Sequence, residues 1–192
     1  MIITTEHSHH GAAIEQLLDV TFGFDRFQKS SYRLRDGIDP IAELCLVGIE
    51  HDDLGREKVM GTIRYWEVLA GDRKALLLGP IAVSPDLQGG GLGSKLIRLS
   101  LNKASALGYG AVLLVGDAPY YERFGFTRRL TLGLNMPAPT DPNRFLGLEL
   151  RDGALNGAWG DVAALSPEDD RGSFAASKIS GFAVGGVWFA RP

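Results

Sequence analysis

The feature that most limits the fold of this chain is a cluster of glycines between an apolar run and a helical pattern. The cluster reads Gln88-Gly89-Gly90-Gly91-Leu92-Gly93-Ser94. It follows residues 75–83, an apolar run that is typical of a strand buried on both faces. It precedes residues 92–107, whose apolar residues recur at helical spacing. Glycine lets a ligand approach the backbone amides, and a helix start offers unpaired N–H donors. The order strand, glycine loop, helix therefore predicts a phosphate-binding turn.

Three known phosphate-binding patterns can be compared with this cluster. A P-loop needs a lysine followed by serine or threonine, whereas here a serine precedes Lys95. A dinucleotide-binding G-x-G-x-x-G starting at Gly91 would need its third glycine at Leu96, and no second βαβ unit of that kind is visible. The pattern Q/R-x-x-G-x-G is matched in order by Gln88, Gly91 and Gly93. The spacing therefore favours this third pattern.

Length and composition are those of one soluble globular domain. The chain has 192 residues, of which 45% are hydrophobic and 22% are charged, with a net charge of −3. We expect neither nucleic acid nor a membrane as a partner, because there is no basic excess and no apolar run of roughly 18 residues. The N-terminus lacks the basic and apolar regions of a signal peptide, and the single Cys45 lies in an apolar run. These observations predict a cytoplasmic protein with a buried thiol.

The apolar periodicity predicts one α+β domain over residues 1–165. Residues 166–192 are predicted to be a C-terminal extension packed on the same domain. Assembly into a homodimer is compatible with the sequence. Strands are expected at residues 2–5, 44–50, 59–69, 75–83 and 111–115, and helices at residues 8–22, 92–107 and 120–124. Residues 130–134 and 145–150 are predicted to form a pair of strands joined by a proline-rich loop.

A second motif follows the fifth predicted strand. It reads Ala118-Pro119-Tyr120-Tyr121-Glu122-Arg123-Phe124-Gly125-Phe126. With residues 78–83 and 88–94, it resembles the GNAT superfamily of acetyltransferases over about residues 1–150. The resemblance extends to a bacterial subgroup of predicted N-acetyltransferases without known substrates.

The resemblance implies a mixed, largely antiparallel sheet whose fourth and fifth strands run parallel and splay apart, flanked by helices. It further implies that the pantetheine of acetyl-CoA pairs with free backbone groups of the fourth strand, and that amides of residues 90–94 hold the pyrophosphate. The cofactor-binding residues implied in this way are Ile81, Ala82, Val83, Gln88, Gly89, Gly90, Gly91, Leu92, Gly93 and Ser94.

For catalysis, the resemblance implies that the amide of Ile81 faces the thioester carbonyl and that Tyr121 is the general acid for the leaving thiolate. The alternative for Tyr121 is a packing role. No acid occurs in residues 75–83, so Glu67 is the best remaining candidate for the general base, unless it is a solvent-facing strand residue. Asp117 could serve as a base or cap the following helix.

The function implied is an acetyl-CoA-dependent N-acetyltransferase in which an amine, on a small molecule or a protein, attacks the thioester directly. The alternative is a non-catalytic acyl-CoA-binding or sensing module. A third hypothesis keeps the fold but uses a longer acyl donor or a hydroxyl acceptor. Acceptor choice is expected to depend on residues 22–36 and 136–144.

His7, His9 and His10 are close enough in sequence to suggest a metal site. No cysteine or carboxylate cluster accompanies them in the sequence, so we interpret them as surface histidines and expect no metal.

Overall fold

The structure is a computed structural model, and it describes residues 1–28 and 30–165. The predicted C-terminal extension, residues 166–192, lies outside this range. Among the described residues, no helix has the length and apolar character that crossing a membrane requires.

Eight strands and three α-helices form the described part of the chain. The strands are β1 (Ile2–Thr5), β2 (Leu46–His51), β3 (Glu57–Ala70), β4 (Arg73–Val83), β5 (Ala111–Val115), β6 (Leu134–Asn135), β7 (Phe145–Glu149) and β8 (Gly160–Ala164). The helices are α1 (Gly11–Phe22), α2 (Leu92–Ala106) and α3 (Ala118–Tyr121). Short 3₁₀ turns occur between them, among them Ser8–His10, Phe24–Gln28, Ser30–Tyr32 and Pro142–Arg144.

The sheet is mixed and mostly antiparallel. Its strand order is β1-β2-β3-β4-β5-β7, and β8 pairs with the end of β3 that β2 leaves uncovered. The pair β4–β5 is parallel, while β1–β2, β2–β3, β3–β4 and β5–β7 are antiparallel. The predicted α+β class with parallel fourth and fifth strands is confirmed.

The parallel pair β4–β5 separates soon after it begins. The two strands pair only at Leu76 with Val112 and at Leu77 with Leu113. Beyond Leu77, residues 78–83 remain paired with β3 on one side, and none of the eight described strands pairs with them on the other. This opening between β4 and β5 is the splay that the family resemblance implies.

The direction of the backbone groups on this free edge follows from the β3–β4 ladder. The amide of Ser84 donates to the carbonyl oxygen of Met60 at 2.8 Å, and hydrogen-bonded and non-hydrogen-bonded pairs alternate in an antiparallel ladder. Ala82 is therefore the next residue bonded to β3, opposite Thr62. The N–H and C=O groups of Ile81 and Val83 consequently point away from β3, into the opening.

A bulge on β4 separates this free edge from the paired part of the strand. Two residues of β4, Gly79 and Pro80, lie opposite the single residue Arg64 of β3. Proline has no N–H to give to a ladder, so a bulge is a suitable place for it. Gly79 has a φ of 126°, which favours glycine over other residues.

Helices cover both faces of the sheet. Helix α1 packs Ile14, Leu17 and Leu18 against one face, and α2 packs a longer apolar stripe, including Leu96 and Ile97, against the other. Because Ser100 of α2 is fully buried, its hydroxyl needs partners. It bonds the Tyr65 hydroxyl at 2.7 Å and carbonyl oxygens one turn earlier. The sheet is therefore held between two layers, and the opening lies between their ends.

Helix α3 rests directly on the end of β5. The ring of Tyr121 is buried against Gly116, where a Cβ would overlap the ring Cε2 and lie 2.8 Å from Cδ2. Phe126 packs edge-on to the same ring, with 5.9 Å between centroids. A residue without a side chain at position 116 is what lets Tyr121 fit here.

The predicted pairing of residues 130–134 with residues 145–150 is wrong. Arg128–Thr131 is a 3₁₀ turn in which the Thr131 hydroxyl donates to the carbonyl oxygen of Phe145 at 2.7 Å, so a side chain replaces the strand ladder. Strand β7 pairs with β5, and the short β6 pairs in parallel with β8. The segment Gly160–Ala164 is short and consists mostly of small residues without a strand-like alternation, which is why β8 was not predicted.

Cys45 provides a test of core packing. It is 2% exposed, its thiol donates to the carbonyl oxygen of Ile41 at 3.2 Å, and burial raises its pKa to about 11. We therefore expect no reaction with Ellman's reagent in the native protein at pH 8, and one thiol per chain after denaturation. Rapid reaction of the native protein would contradict this packing.

Gly116→Ala should lower the free energy of unfolding by about 1–3 kcal/mol, because the added methyl group overlaps the Tyr121 ring. Gly11→Ala is the matched control. Its Cβ meets nothing within 4 Å at the start of α1, so we expect unchanged or slightly higher stability. Urea unfolding of both variants measures the difference, and equal stability of the two would show that the ring moves aside freely.

Candidate active site

The predicted phosphate-binding residues line one cavity, which we call the glycine-loop cavity. It has a volume of about 450 Å³. Nine of the ten predicted cofactor-binding residues border it, namely Ile81, Ala82, Val83, Gln88, Gly89, Gly91, Leu92, Gly93 and Ser94. The free edge of β4 and the start of α2 therefore form its two walls.

The start of α2 presents unpaired amides to this cavity. Gly91 is the N-cap residue with a φ of 85°, and the first bond of the helix is from the Lys95 amide to the Gly91 carbonyl oxygen at 3.0 Å. The amides of residues 91–94 precede that bond and so have no partner within the helix. They lie at the positive end of the helix dipole, where an anion is stabilised.

Gly90 is the exception among the predicted residues. Its amide donates to the Leu87 carbonyl oxygen at 3.1 Å, and it is absent from the cavity lining. The geometry thus differs from the expectation that the Gly90 amide is available to a ligand. Gln88 folds back onto β4, with its Nε2 donating to the Val83 carbonyl oxygen at 3.4 Å.

Five residues that we did not predict also border the glycine-loop cavity, and two of them, Tyr120 and Arg123, belong to the second motif. The Tyr120 hydroxyl lies 3.0 Å from the position that a Cβ would take at Gly93, so the ring touches the start of α2. Arg123 stacks on the Tyr120 ring with 4.5 Å from its guanidinium carbon to the ring centroid. Arg123 lies two residues after Tyr121 in the second motif, and this spacing was the only signal that could have indicated it.

A second cavity lies on the other side of Ile81, and we call it the arginine cavity. It has a volume of about 360 Å³ and shares Phe22 and Ile81 with the glycine-loop cavity. Its walls come from Phe22, Arg26, Ser31, Tyr32, Arg35, Leu78, Gly79, Pro80, Ile81, Val115, Pro139, Thr140, Asp141 and Arg144. Both segments on which acceptor choice was expected to depend, residues 22–36 and 136–144, contribute to it.

The charges of the arginine cavity are not all paired. Arg26 is neutralised by Asp19 at 2.8 Å and Glu15 at 2.6 Å and also bonds the Tyr32 hydroxyl. Arg35 has no such partner in the described part of the chain, and burial, with a further contribution from Arg64, lowers its pKa to about 10.

Asp141 is the one carboxylate among the described residues that line this cavity. Its Oδ1 accepts from the Asn143 amide at 2.9 Å.

Tyr121 is 9% exposed, belongs to the core between α2 and the sheet, and, like Glu67, borders neither of the two cavities. Burial raises the pKa of its phenol to about 12, and the neighbouring Tyr120 adds to this effect. The Arg144 guanidinium acts in the opposite direction, so the phenol lies within reach of a charge that borders the arginine cavity. The hydroxyl therefore stays protonated at neutral pH, as a proton donor must.

Glu67 is not brought together with the other predicted site residues. It is half-buried on β3 opposite Leu76, near the closed end of β4–β5, and borders neither of the two cavities. Its carboxylate hydrogen-bonds to Tyr109 and, with burial as the larger cause, raises the pKa of that phenol to about 12. The role of Glu67 as a base stays a prediction, and this position does not favour it.

The histidines at the start of the chain differ from our interpretation. His10 is buried, and the Nε2 atoms of His9 and His10 both lie 3.0 Å from Oε2 of Glu57, so a carboxylate does accompany them. Pairing of β1 with β2 and of β2 with β3 brings Glu57 here from 47 residues away in sequence, which spacing cannot reveal. Nδ1 of His10 accepts from the His7 amide at 3.0 Å, so its proton resides on Nε2 and is donated to Glu57.

The chain is similar to proteins of one acetyltransferase family. The model of the acetyltransferase (GNAT) family matches residues 12–126. The uncharacterized N-acetyltransferase YhbS of Escherichia coli K12 is 32% identical over 164 residues, which are 84% of this chain and 95% of YhbS.

Two crystal structures are similar to the whole described fold. The structure of E. coli YhbS in complex with CoA has a TM-score of 0.70 and 30% identity, and the match covers 85% of this chain and 89% of that one. A GNAT family acetyltransferase from Brucella melitensis in complex with acetyl-CoA has a TM-score of 0.60 and 28% identity, with 86% and 96% coverage. From the family match, the identity and the shared fold, we conclude that this chain belongs to the GNAT family of N-acetyltransferases.

Proposed function

We propose that the protein transfers an acetyl group from acetyl-CoA to an amine, by direct attack of the amine on the thioester. The observation that carries the proposal is the meeting of two cavities at Ile81, one bordered by unpaired helix amides and the other by charged side chains. The complexes of the two relatives with CoA and with acetyl-CoA support the choice of donor.

In this proposal the pyrophosphate of acetyl-CoA binds the amides of residues 91–94. Each of these donors lacks a partner within α2, and the helix dipole favours a negative charge there. Arg123 borders the same cavity and supplies a positive side chain for a phosphate. Tyr120 holds the Arg123 guanidinium against its ring and so limits its rotation.

The pantetheine arm then extends β4 as an added strand. Ile81 and Val83 offer backbone groups in the opening, in the direction that the β3–β4 ladder dictates. The Ile81 amide is our candidate for the donor that stabilises the oxyanion of the tetrahedral intermediate. One preorganised donor of this kind is worth about 2.7–4 kcal/mol of transition-state stabilisation.

The acceptor amine enters from the arginine cavity. An alkylamine has a pKa near roughly 10.4 and arrives protonated, so it must lose a proton before it attacks the carbonyl carbon. Asp141 can attract the ammonium group and pass its proton to water, whereas Glu67 borders neither cavity. We therefore assign Asp141 the role that we had predicted for Glu67.

Collapse of the intermediate forms the amide and breaks the carbon–sulfur bond. The thiolate leaves with the electron pair and takes a proton from Tyr121, the proposed general acid. Because burial raises the pKa of this phenol to about 12, proton transfer to a thiolate near roughly 8.5 is uphill. Tyr121 should therefore contribute a moderate factor to the rate.

The experiment that tests the proposed function is release of the CoA thiol from acetyl-CoA in the presence of a panel of amines. Cys45 gives no background with a thiol reagent, because it is buried and protonated. Amine-dependent thiol release with formation of the acetylated amine supports the proposal. Tight acetyl-CoA binding with no release on any amine would instead support the non-catalytic acyl-CoA-binding module.

Gly91→Glu should weaken acetyl-CoA binding by at least about 100-fold, because it adds a negative charge where the pyrophosphate is proposed to bind. Gly91→Gln is the matched control, since it has the same bulk and the same unfavourable φ of 85° without the charge. We expect Gly91→Gln to weaken acetyl-CoA binding by about 10-fold. Isothermal titration measures both affinities, and thermal unfolding checks that both variants are folded. Equal affinities of the two variants would mean that the phosphate binds elsewhere.

Tyr121→Phe should lower kcat by about 10- to 100-fold with little change in the KM for acetyl-CoA, because only the proton donor is lost. Tyr120→Phe is the comparison, and we expect it to raise the KM for acetyl-CoA instead, since its hydroxyl borders the glycine-loop cavity. Steady-state kinetics with one good amine separates the two effects. If Tyr120→Phe instead lowers kcat and Tyr121→Phe raises the KM for acetyl-CoA, Tyr120 is the general acid.

A further inference from the structure

Arg35 is a largely buried cation whose guanidinium has no acidic partner among residues 1–28 and 30–165. Its Nε is buried and makes no hydrogen bond to any described residue. The guanidinium stacks on Tyr32 and Trp66, with 5.2 Å and 5.0 Å from its carbon atom to the ring centroids. The two aromatic rings fix its orientation, but they do not neutralise its charge.

Two neighbouring arginines, Arg26 and Arg64, have the acidic partners that Arg35 lacks among the described residues. Arg26 binds Glu15 and Asp19, and Arg64 binds Glu6 at 2.6 Å and Glu15 at 3.2 Å. Within residues 1–28 and 30–165, no carboxylate oxygen lies within 4.0 Å of the Arg35 guanidinium. A buried charge is costly unless it is paired, so an unpaired one indicates a missing partner.

The position of Arg35 points to where that partner comes from. Arg35 borders the arginine cavity, and its Nη2 lies 3.1 Å from the position of a Cβ at Gly79, next to the free edge of β4. Asp141 borders the same cavity and offers the opposite charge. A ligand here meets two cations without an ion-pair partner among the described residues, Arg35 and Arg144, and one anion, Asp141, which is complementary to an amine that also carries an acidic group.

We propose that Arg35 binds a carboxylate of the acceptor, so that the acceptor is a small amine bearing a carboxylate, such as an amino acid. The inference rests on the proposed function, because it takes the arginine cavity as the acceptor site. A guanidinium donates two parallel hydrogen bonds to a carboxylate. A cavity of about 360 Å³ is at the small end of ligand sites, which favours a small molecule over a protein chain.

The test compares each amino acid of a panel with its own primary amide as acceptor, at fixed acetyl-CoA. The two forms share the amine and the side chain, and they differ in the negative charge. We expect the wild-type protein to use the acid at least about 10-fold better in kcat/KM than the amide for its best acceptor.

Three variants show whether Arg35 causes this preference. Arg35→Met removes the charge and should lower kcat/KM for the acid by about 10- to 100-fold while changing that for the amide little. Arg35→Lys keeps the positive charge but cannot donate two parallel hydrogen bonds, and it should retain part of the preference for the acid. Arg56→Met is the matched control, since Arg56 is 73% exposed and pairs with Asp52 in the β2–β3 turn. It should behave as wild type.

Failure of this inference is distinguishable from failure of the proposed function. Equal use of acid and amide by the wild-type protein overturns the inference and leaves acetyl transfer intact. If no amine is acetylated, the binding of N-acetylglycine to the CoA-loaded protein decides the inference. Binding by the wild type that Arg35→Met loses supports it, and no binding by the wild type overturns it. If Arg35→Met does not fold, the wild-type preference and the Arg35→Lys variant still decide the outcome.

Discussion

Strand β4 pairs with β5 at two positions and then continues without a described strand on that edge, and this loss of pairing determines the rest of the site. Backbone N–H and C=O groups require partners, so an edge inside a folded domain must face water or a ligand. The groups of Ile81 and Val83 face the opening, and both cavities meet there. The bulge at Gly79 and Pro80 determines which residues of β4 point into it.

The two helices that cover the sheet make different contributions to this opening. Helix α2 directs its unpaired amides towards the opening, with the conformation of Gly91 allowing the chain to turn directly into the helix. Helix α1 contributes acidic side chains, Glu15 and Asp19, that neutralise arginines from the neighbouring turn and from β3. The glycine-loop cavity on one side of Ile81 is thus rich in backbone N–H donors, while the arginine cavity on the other side is lined by charged side chains.

Local patterns in the sequence predicted the parts of the structure that depend on local chemistry. The apolar runs and the glycine cluster identified β4, β5 and α2 with nearly correct bounds, because strand burial and helix starts leave direct marks on residue type. The turn in which the Gly90 amide donates to Leu87 was not predicted, since it has no signature in residue type.

Pairing between distant segments was the part that the sequence did not reveal. The Thr131 side chain takes the place of a strand ladder beside β7, and Glu57 meets His10 across the sheet. Glu67 was selected because no acid occurs in residues 75–83, but the length of β3 carries it to the far end of the sheet, beside Tyr109. No motif indicated Arg35, because its lack of an acidic partner among the described residues can be seen only in the folded chain.

The shared wall at Ile81 and Phe22 has a consequence for the order of events in acetyl transfer. With the proposed donor bound, its thioester would itself become part of the surface that the acceptor contacts. Occupancy of one cavity then changes the affinity of the other by a coupling free energy, and thermodynamic linkage makes this effect reciprocal. Under the proposed function, acceptor affinity is therefore a property of the donor-loaded protein, and a screen for acceptors with the empty protein would measure a different interaction.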